Sequence, residues 1–425
     1  MPATPARTVC DTDRSSPARS DLCGGVVAAR GRALAAPALG ADVTIGLDAG
    51  DGLSVRDSTG SVERLRVDEA TGNVSRNGAL FVHTTGSLNL FVGPGSGSLG
   101  ATGYGANAAF GVEALAATTS GAFNAAFGLG ALRETTSGSG NAAVGAGALA
   151  SNVLGVGNSA LGTYALSQSV TGSYNSAVGL NALANTTTAG DNTAFGARAL
   201  YANTAPGNAA FGTGALQSNT TGPHVSGVGT DALLSNSTGQ ENAAFGYEAL
   251  RDNTSGRFNS AFGTRALTAS TTADGNAAFG TDTLTANTTG AFNAAFGSFA
   301  MLANTTGTSN AAFGNGAMLD NNGSYNAAFG RGALESNTTG GSNTALGHFA
   351  LPNKTTGSNN VAIGRLSGVY LTAGSDNIYI ANPGVAGESG KIKIGDTAHT
   401  ETFIERIDGS TPTGRRAGRD NSPAP

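Results

Sequence analysis

NAAFGSFAMLANTTGTS, residues 293–309, is followed at once by a second NAAFG that begins at Asn310. Segments of this type recur along most of the chain. Their first residues are 17 positions apart, except for two intervals of 16, from Asn192 to Asn208 and from Asn310 to Asn326. Self-similarity at a fixed period indicates a repeat architecture. The sixteen first residues, or openers, are Asn107, Asn124, Asn141, Asn158, Asn175, Asn192, Asn208, Val225, Asn242, Asn259, Asn276, Asn293, Asn310, Asn326, Asn343 and Asn360.

The repeating unit reads N-[AST]-A-[FVLI]-G-x-x-A-L-x-x-N-T-T-G-x-x. Seventeen residues are too few for helical hairpin repeats, which need roughly 33 to 47. A glycine after every NAAF-type segment and the frequent Asn-Thr-Thr-Gly turn also disfavour helix. Each unit therefore predicts one coil of an all-β parallel β-solenoid. NAAFG forms a strand, the next residues a corner, the Ala-Leu pair a second short strand, and NTTG the return turn.

Stacking of equivalent positions predicts ladders along the solenoid axis. Coils about 4.8 Å apart give sixteen coils a length of roughly 75 Å. The fourth position is bulky, so we predict that its face fills the interior and that the flat Asn, Ala and Gly face packs against another copy of the chain. Asn107, Asn124, Asn141, Asn293 and Asn310 are rungs of a predicted amide ladder. The phenylalanine rungs are Phe110, Phe127, Phe195, Phe211, Phe245, Phe262, Phe279, Phe296, Phe313 and Phe329.

Composition agrees with a solenoid of small side chains. Only 12% of the 425 residues are charged, there are 66 glycines, and tryptophan is absent; a typical globular domain has about 25% charged residues. The net charge of −5 gives no reason to expect a nucleic-acid partner. No apolar run is long enough to predict membrane insertion. Cys10 and Cys23 could form at most one disulfide, and no cofactor is expected.

The repeat resembles a known family. SNNVAIG at 358–364 is similar to the repeat of trimeric autotransporter adhesin heads, and the NTTG-bearing units resemble bacterial repeat proteins and phage tail-fibre relatives. The flanking segments at 67–74, 80–93 and 377–395 resemble those that precede and follow the repeats in such proteins. The resemblance implies a left-handed β-roll and a homotrimer.

Two features depart from that family. No heptad-patterned stalk or membrane anchor follows the repeats, and the segment at 399–409, which precedes a self-cleaving chaperone in tail-fibre relatives, is followed only by a short tail. We predict a truncated or frameshifted member. The predicted domains are a disordered basic arm at 1–42, a β-rich cap at 43–88, the solenoid at 89–376, a C-terminal β cap at 377–409 and a disordered tail at 410–425.

No catalytic, cofactor or metal site is predicted. His83, His224, His348 and His399 lack metal-ligand spacing and are expected at unrelated surface positions. Glu113, Glu248 and Glu335 lie in separate coils, whereas a glycosidase needs paired carboxylates. Glycosylation-type triplets are interpreted as a turn signature. They begin at Asn185, Asn219, Asn236, Asn253, Asn287, Asn304 and Asn337.

These observations predict a non-enzymatic structural or adhesive rod. It would act outside the cell or at the cell surface, giving multivalent binding to a cell-surface glycan or protein. Two alternatives remain open. One is a monomeric ice- or polysaccharide-binding solenoid that uses the stacked threonines of the NTTG turns. The other is a glycan-cleaving enzyme of the tail-spike type.

Overall fold

The computed structural model contains two compact units, one ending at Thr84 and the other beginning at Thr85. It has twenty-four strands and no helix among the residues it describes. The arm predicted for 1–42 and the tail predicted for 410–425 lie outside those residues. The described residues are 44–48, 52–56, 63–68, 70–101, 105–354 and 356–400.

The first unit contains a five-stranded antiparallel meander, in which each strand pairs with the next. Asn77 and Gly78 join the last two strands with φ angles of 51° and 79°. Two successive positive φ angles form the type of tight turn that matches strand twist, and Asn-Gly is its preferred sequence. The strands are β1 (Thr44–Asp48), β2 (Gly52–Arg56), β3 (Glu63–Val67), β4 (Val74–Arg76) and β5 (Ala79–His83).

The second unit is a parallel β-solenoid of about eighteen coils, with one three-residue strand in each coil. Its strands are β6 (Leu90–Val92), β7 (Ala108–Phe110), β8 (Ala125–Phe127), β9 (Ala142–Val144), β10 (Ser159–Leu161), β11 (Ser176–Val178), β12 (Thr193–Phe195), β13 (Ala209–Phe211), β14 (Ser226–Val228), β15 (Ala243–Phe245), β16 (Ser260–Phe262), β17 (Ala277–Phe279), β18 (Ala294–Phe296), β19 (Ala311–Phe313), β20 (Ala327–Phe329), β21 (Thr344–Leu346), β22 (Val361–Ile363), β23 (Ile378–Ile380) and β24 (Ile392–Ile394).

Equivalent residues of successive coils pair in parallel. Phe279 lies opposite Phe296, and Phe296 opposite Phe313. The two 16-residue coils preserve this register, since Thr193 pairs with Ala209. The missing residue falls in the return turn, where its loss leaves strand facing unchanged. The predicted 17-residue parallel solenoid is confirmed.

The interior is narrower than predicted. The third-position alanines, such as Ala295, and the eighth- and ninth-position residues, such as Ala300 and Met301, have no solvent exposure. The fourth-position side chains face outward, with Phe110 37% and Phe211 42% exposed. The prediction that the phenylalanine face fills the coil was therefore wrong. Strand alternation allows either the first and third or the second and fourth positions to face inward. The structure places the third-position alanine methyl groups inside the coil and the fourth-position benzyl groups outside it.

The predicted second strand is also absent. The Ala-Leu pair lies in a turn, and its second residue has a left-handed backbone, with φ of 52° at both Leu250 and Met301. A strand directs consecutive side chains to opposite faces. The left-handed step instead lets two consecutive apolar residues, such as Ala300 and Met301, both point inward.

Two rows of buried carboxamides join the coils. The Asn293 side chain donates through Nδ2 to Oδ1 of Asn276 at 3.2 Å and to the Gly307 carbonyl at 2.8 Å. Its own Oδ1 accepts from the backbone N–H and the Nδ2 of Asn310 at 3.0 and 3.1 Å. The second row is at the twelfth position, where Asn304 donates to Oδ1 of Asn287 at 2.8 Å. The flat polar face that we expected to pack against another copy is therefore interior.

Aromatic residues occupy the third position at both ends of the alanine column. Phe91 and Tyr379 are fully buried there. A Cβ at Gly97 would lie 2.3 Å from the Phe91 ring, and one at Gly368 would lie 3.3 Å from the ring of Tyr379. Gly97 and Gly368 stand at the ninth position, where the coils between them have leucine or methionine. Each end therefore combines a large third-position residue with the loss of the large ninth-position residue.

Candidate binding surface

The fourth position forms a continuous outward row, here called the fourth-position row. Consecutive phenylalanine rings stack with centroids 4.7 to 5.2 Å apart and planes within 9° of parallel. Valine, leucine and isoleucine continue it, with Val144 43% and Leu161 51% exposed. The phenylalanines of the row are Phe110, Phe127, Phe195, Phe211, Phe245, Phe262, Phe279, Phe296, Phe313 and Phe329.

The amide-ladder residues Asn107, Asn124, Asn141, Asn293 and Asn310 are all buried and offer nothing to an external partner. The same holds for the twelfth-position asparagines that begin glycosylation-type triplets. Asn236 and Asn304, for example, have no exposure, and their amide nitrogens are engaged in hydrogen bonds. Six of the seven triplets thus contribute a buried asparagine to the interior, whereas Asn185 stands at the eleventh position and is half-buried. Sequence reasoning missed this by treating the whole NTTG segment as a surface turn.

A second outward row consists of hydroxyls at the fourteenth position and is called the hydroxyl row. The neighbouring thirteenth-position threonines bond to the next coil, as Thr288 Oγ1 does to the Thr305 carbonyl at 3.0 Å. The fourteenth-position hydroxyls have no such bond among the described residues. Both 16-residue coils lack this position. Between them the row is unbroken and exposed, and consists of Thr221, Thr238, Ser255, Thr272, Thr289 and Thr306.

A shallow polar groove of about 240 Å³ lies within this unbroken run. It spans three successive coils and places hydroxyl-row residues opposite the sixteenth-position residues. Asp274 Oδ1 accepts the backbone N–H of Arg257 at 2.8 Å. The guanidinium of Arg257 and the carboxamide of Gln240 bond to no described residue. The groove is lined by Thr238, Gln240, Ser255, Arg257, Thr272 and Asp274.

Exposed aromatic rings occupy the seventeenth position, here called the edge row, near this groove: Phe258 follows Arg257, and Phe292 belongs to the coil after that of Asp274. Phe258 is 52% and Phe292 66% exposed. Gly275 stands between them, and a Cβ there would lie 2.7 Å from the Phe292 ring. The Phe292 ring therefore lies over the glycine of the preceding coil. Tyr174 lies over Gly157 in the same way.

Charged side chains pair locally elsewhere on the surface. Arg265 binds both carboxylate oxygens of Asp282, at 2.7 and 2.9 Å, and this contact raises the pKa of the guanidinium. Glu248, one of the three isolated carboxylates, lies 3.2 Å from Arg251. No group of three His, Cys, Asp or Glu side chains in the described part of the chain is arranged to hold a metal ion.

The histidines do not share one environment. His224, His348 and His399 are exposed, but His83 is only 3% exposed, so the expectation of a surface position was wrong for it. His83 ends β5, along which the side chains go from exposed at Ala79 to buried at His83.

Three titratable groups with shifted pKa values lie in the last coils. Lys354 is fully buried at the twelfth position, where its ammonium donates to the Thr356 carbonyl, and burial lowers its pKa to about 8. Burial raises the pKa of Tyr379, as does its 2.7 Å hydrogen bond to Glu388. Burial alone would raise the pKa of Glu388, but hydrogen bonds from Lys393 and Tyr379 hold it below its ordinary value.

No protein-family model, curated protein or solved structure matches the chain. The fold and the surface rows are therefore the basis for any functional conclusion. Nothing in the described residues forms an apolar helix long enough to cross a membrane.

Proposed function

We propose that this chain is a non-enzymatic structural rod that associates with two further copies of itself through the fourth-position row. The observation that supports self-association is the row itself, because it is an exposed apolar surface that continues from coil to coil. Its exposed phenylalanine, valine, leucine and isoleucine rungs present roughly 800 Å² of apolar surface. That is about what each partner contributes to a standard interface, and more than an isolated monomer commonly exposes.

A second copy is a fitting occupant because the row repeats at the coil spacing. Rungs 4.7 to 5.2 Å apart present the same relief along most of the solenoid. A parallel chain with the same period can match this relief over its whole length, and heterologous contacts that close into a ring give three equivalent interfaces. The left-handed coil and the number of three chains follow the resemblance to trimeric adhesin heads. In this arrangement the hydroxyl and edge rows stay outside, for multivalent binding at a cell surface.

Light scattering on the full chain tests the self-association. We expect a mass of three times 41.6 kDa. Phe279→Lys would place a charge in the middle of the row and is expected to lower the mass, while Tyr325→Lys, a matched change at the edge row, is expected to leave it unchanged. Circular dichroism would verify that both variants keep their β structure. A wild-type mass of 41.6 kDa would contradict the proposal.

The hydroxyl row favours one alternative, a monomeric solenoid that binds polysaccharide or ice. Its hydroxyls are exposed and repeat once per coil between the two short coils. A monomer mass together with thermal hysteresis would favour ice binding. Absence of hysteresis would exclude that version.

A further inference from the structure

We infer that the groove across the coils that begin at Val225, Asn242 and Asn259 is a binding site for a neutral oligosaccharide. The site, here called the edge groove, consists of the groove residues together with Phe258 of the middle coil and Phe292 of the coil that follows these three and begins at Asn276. It deepens the proposed binding role of the rod, because it names the ligand class and the place, but it does not depend on the number of chains.

The polar part of the edge groove suits a ligand rich in hydroxyl groups. Thr238, Ser255 and Thr272 each offer a hydroxyl that can both donate and accept. The unengaged guanidinium of Arg257 supplies donors only, and the carboxamide of Gln240 supplies both. Sugar hydroxyls can meet each of these groups. A small set of convergent polar groups beside aromatic surface is typical of ligand sites.

The charges in the edge groove argue against an anionic ligand. Arg257 and Asp274 lie in adjacent coils, and the carboxylate of Asp274 faces the same groove. A sulfated or uronate chain would meet that carboxylate at close range, which costs binding energy. A neutral ligand can bond to both side chains.

The aromatic rings add the apolar part of the site. Phe258 and Phe292 are two coils apart, or roughly 9.6 Å at the strand spacing. Both are exposed; Phe258 directly follows Arg257, and the Phe292 ring lies over Gly275, which directly follows Asp274. Sugar rings have apolar C–H faces that can pack on aromatic rings, as other flat ligands do. The spacing of the two rings is comparable with the length of a disaccharide.

Other edge-row aromatics in the described solenoid lack charged or amide residues at the sixteenth position beside them. Phe123 and Tyr325 are also exposed edge-row aromatics, 62% and 68% exposed. At the sixteenth position the coils of these two rings and the coils before them carry Gly105, Ala122, Thr308 and Ser324, with no charged or amide side chain, whereas Phe292 stands next to the coil of Asp274. These coils therefore serve as internal controls.

Titration calorimetry on the full chain tests the site with maltohexaose, cellohexaose and a sulfated heparin oligosaccharide as probes. We expect a neutral hexasaccharide to bind and the heparin oligosaccharide not to bind. Arg257→Ala and Phe292→Ala should each weaken binding about tenfold, which corresponds to the loss of one good contact. Phe123→Ala should leave affinity unchanged.

The inference is overturned if neither neutral hexasaccharide binds, if only the heparin oligosaccharide binds, or if Phe123→Ala weakens binding as much as Phe292→Ala. Light scattering on the same samples separates this result from the proposed assembly. A trimer that binds no sugar would reject the edge groove alone, and a monomer that binds it would reject the trimer alone.

Discussion

The two rows of buried carboxamides differ in how well they tolerate substitution. At the opener position every coil from Asn89 to Asn377 carries asparagine except at Val225. At the twelfth position threonine, serine, lysine and leucine also occur, as at Thr135, Ser270 and Lys354. The opener accepts a backbone N–H from the next coil, whereas a twelfth-position asparagine accepts only from another side chain. Because every opener has a backbone N–H to offer, an acceptor on the preceding opener stabilises each coil, and Val225 is the one opener between Asn89 and Asn377 that lacks it.

The asparagine oxygens that lack a hydrogen-bond partner also distinguish the two rows. Oδ1 of Asn152, Asn253 and Asn337 has no hydrogen-bond partner within the described chain. In each case the next coil replaces asparagine at the twelfth position, with Ser169, Ser270 or Lys354. The serine side chains of the next coil are too short to reach this oxygen, and the Lys354 ammonium is directed to the Thr356 carbonyl instead. The twelfth-position row thus has local defects that the opener row largely avoids.

The largest expected effect comes from comparing two single variants of one coil, each of which removes the carboxamide of one row. Asn293→Ala deletes four hydrogen bonds and leaves the buried N–H of Asn310 unpaired, which should cost about 3 kcal/mol. Asn304→Ala deletes three, one of them at 3.4 Å, and should cost about 2 kcal/mol. Urea unfolding and local amide exchange would measure both. Equal losses would show that the rows are equivalent.

Lys354 should make stability depend on pH. Its pKa is about 8 in the folded state and 10.5 as a free side chain. Between these values the unfolded chain holds a proton that the folded chain releases, so stability rises with pH. From pH 8 to 10 the free energy of unfolding should increase by about 2 kcal/mol. Urea titrations of Lys354→Asn should show no such rise. A parallel rise in the variant would assign the effect to another group.

Val225→Asn should repair the opener row. Without a carboxamide at 225, the N–H of Asn242 lacks the acceptor that other openers have, although Val225 still donates its own N–H to Asn208 at 2.8 Å. The new side chain should stabilise the protein by about 1 kcal/mol, after the loss of buried apolar surface. Val225→Thr, which fills similar space without a carboxamide, should give no gain. The midpoint of urea unfolding compares the two.

Ser270→Asn should have the smallest effect. It would pair the free Oδ1 of Asn253 and replace the unpaired hydroxyl of Ser270. A gain of about 0.5 to 1 kcal/mol is expected, because only side-chain partners are restored. Ser270→Ala, which removes the hydroxyl and restores nothing, should leave Asn253 unpaired and show no gain. Amide exchange in the coils that begin at Asn242 and Asn259 would detect the difference.

The sequence predicts the period and the coil but leaves the facing of the strand undecided. Asn293 and Ala295 alternate as regularly as Ala294 and Phe296, so pattern alone allows either face inside. The decisive quantity is the small width of the coil interior. The signal was nevertheless present within the chain, since the third position is alanine in every repeat but the one with Gly227, while the second and fourth positions vary.

The edge groove could not be predicted in the same way. Its hydroxyls belong to the stacked threonine and serine residues of the NTTG-type turns, but its sixteenth- and seventeenth-position residues stand at variable positions of four different coils, and no single repeat contains them all. Arg257 and Asp274 come together only because coil stacking places them 17 residues apart in the chain and adjacent in space. The exposed rings of the edge row had a weak signal, because Tyr174 and Phe292 each follow a glycine one period earlier.

Stacking through neighbouring coils also has a mechanical consequence. Each coil bonds only to the coils above and below it, so tension applied between the two ends of the solenoid would peel it one coil at a time. Every detached coil would release 17 residues, or roughly 55 Å of extended chain, in exchange for one strand spacing. The opener row and the parallel strand would break together at each step. A pulled molecule would thus lengthen many times over in small, nearly equal increments and dissipate energy at each one, as an extensible tether does.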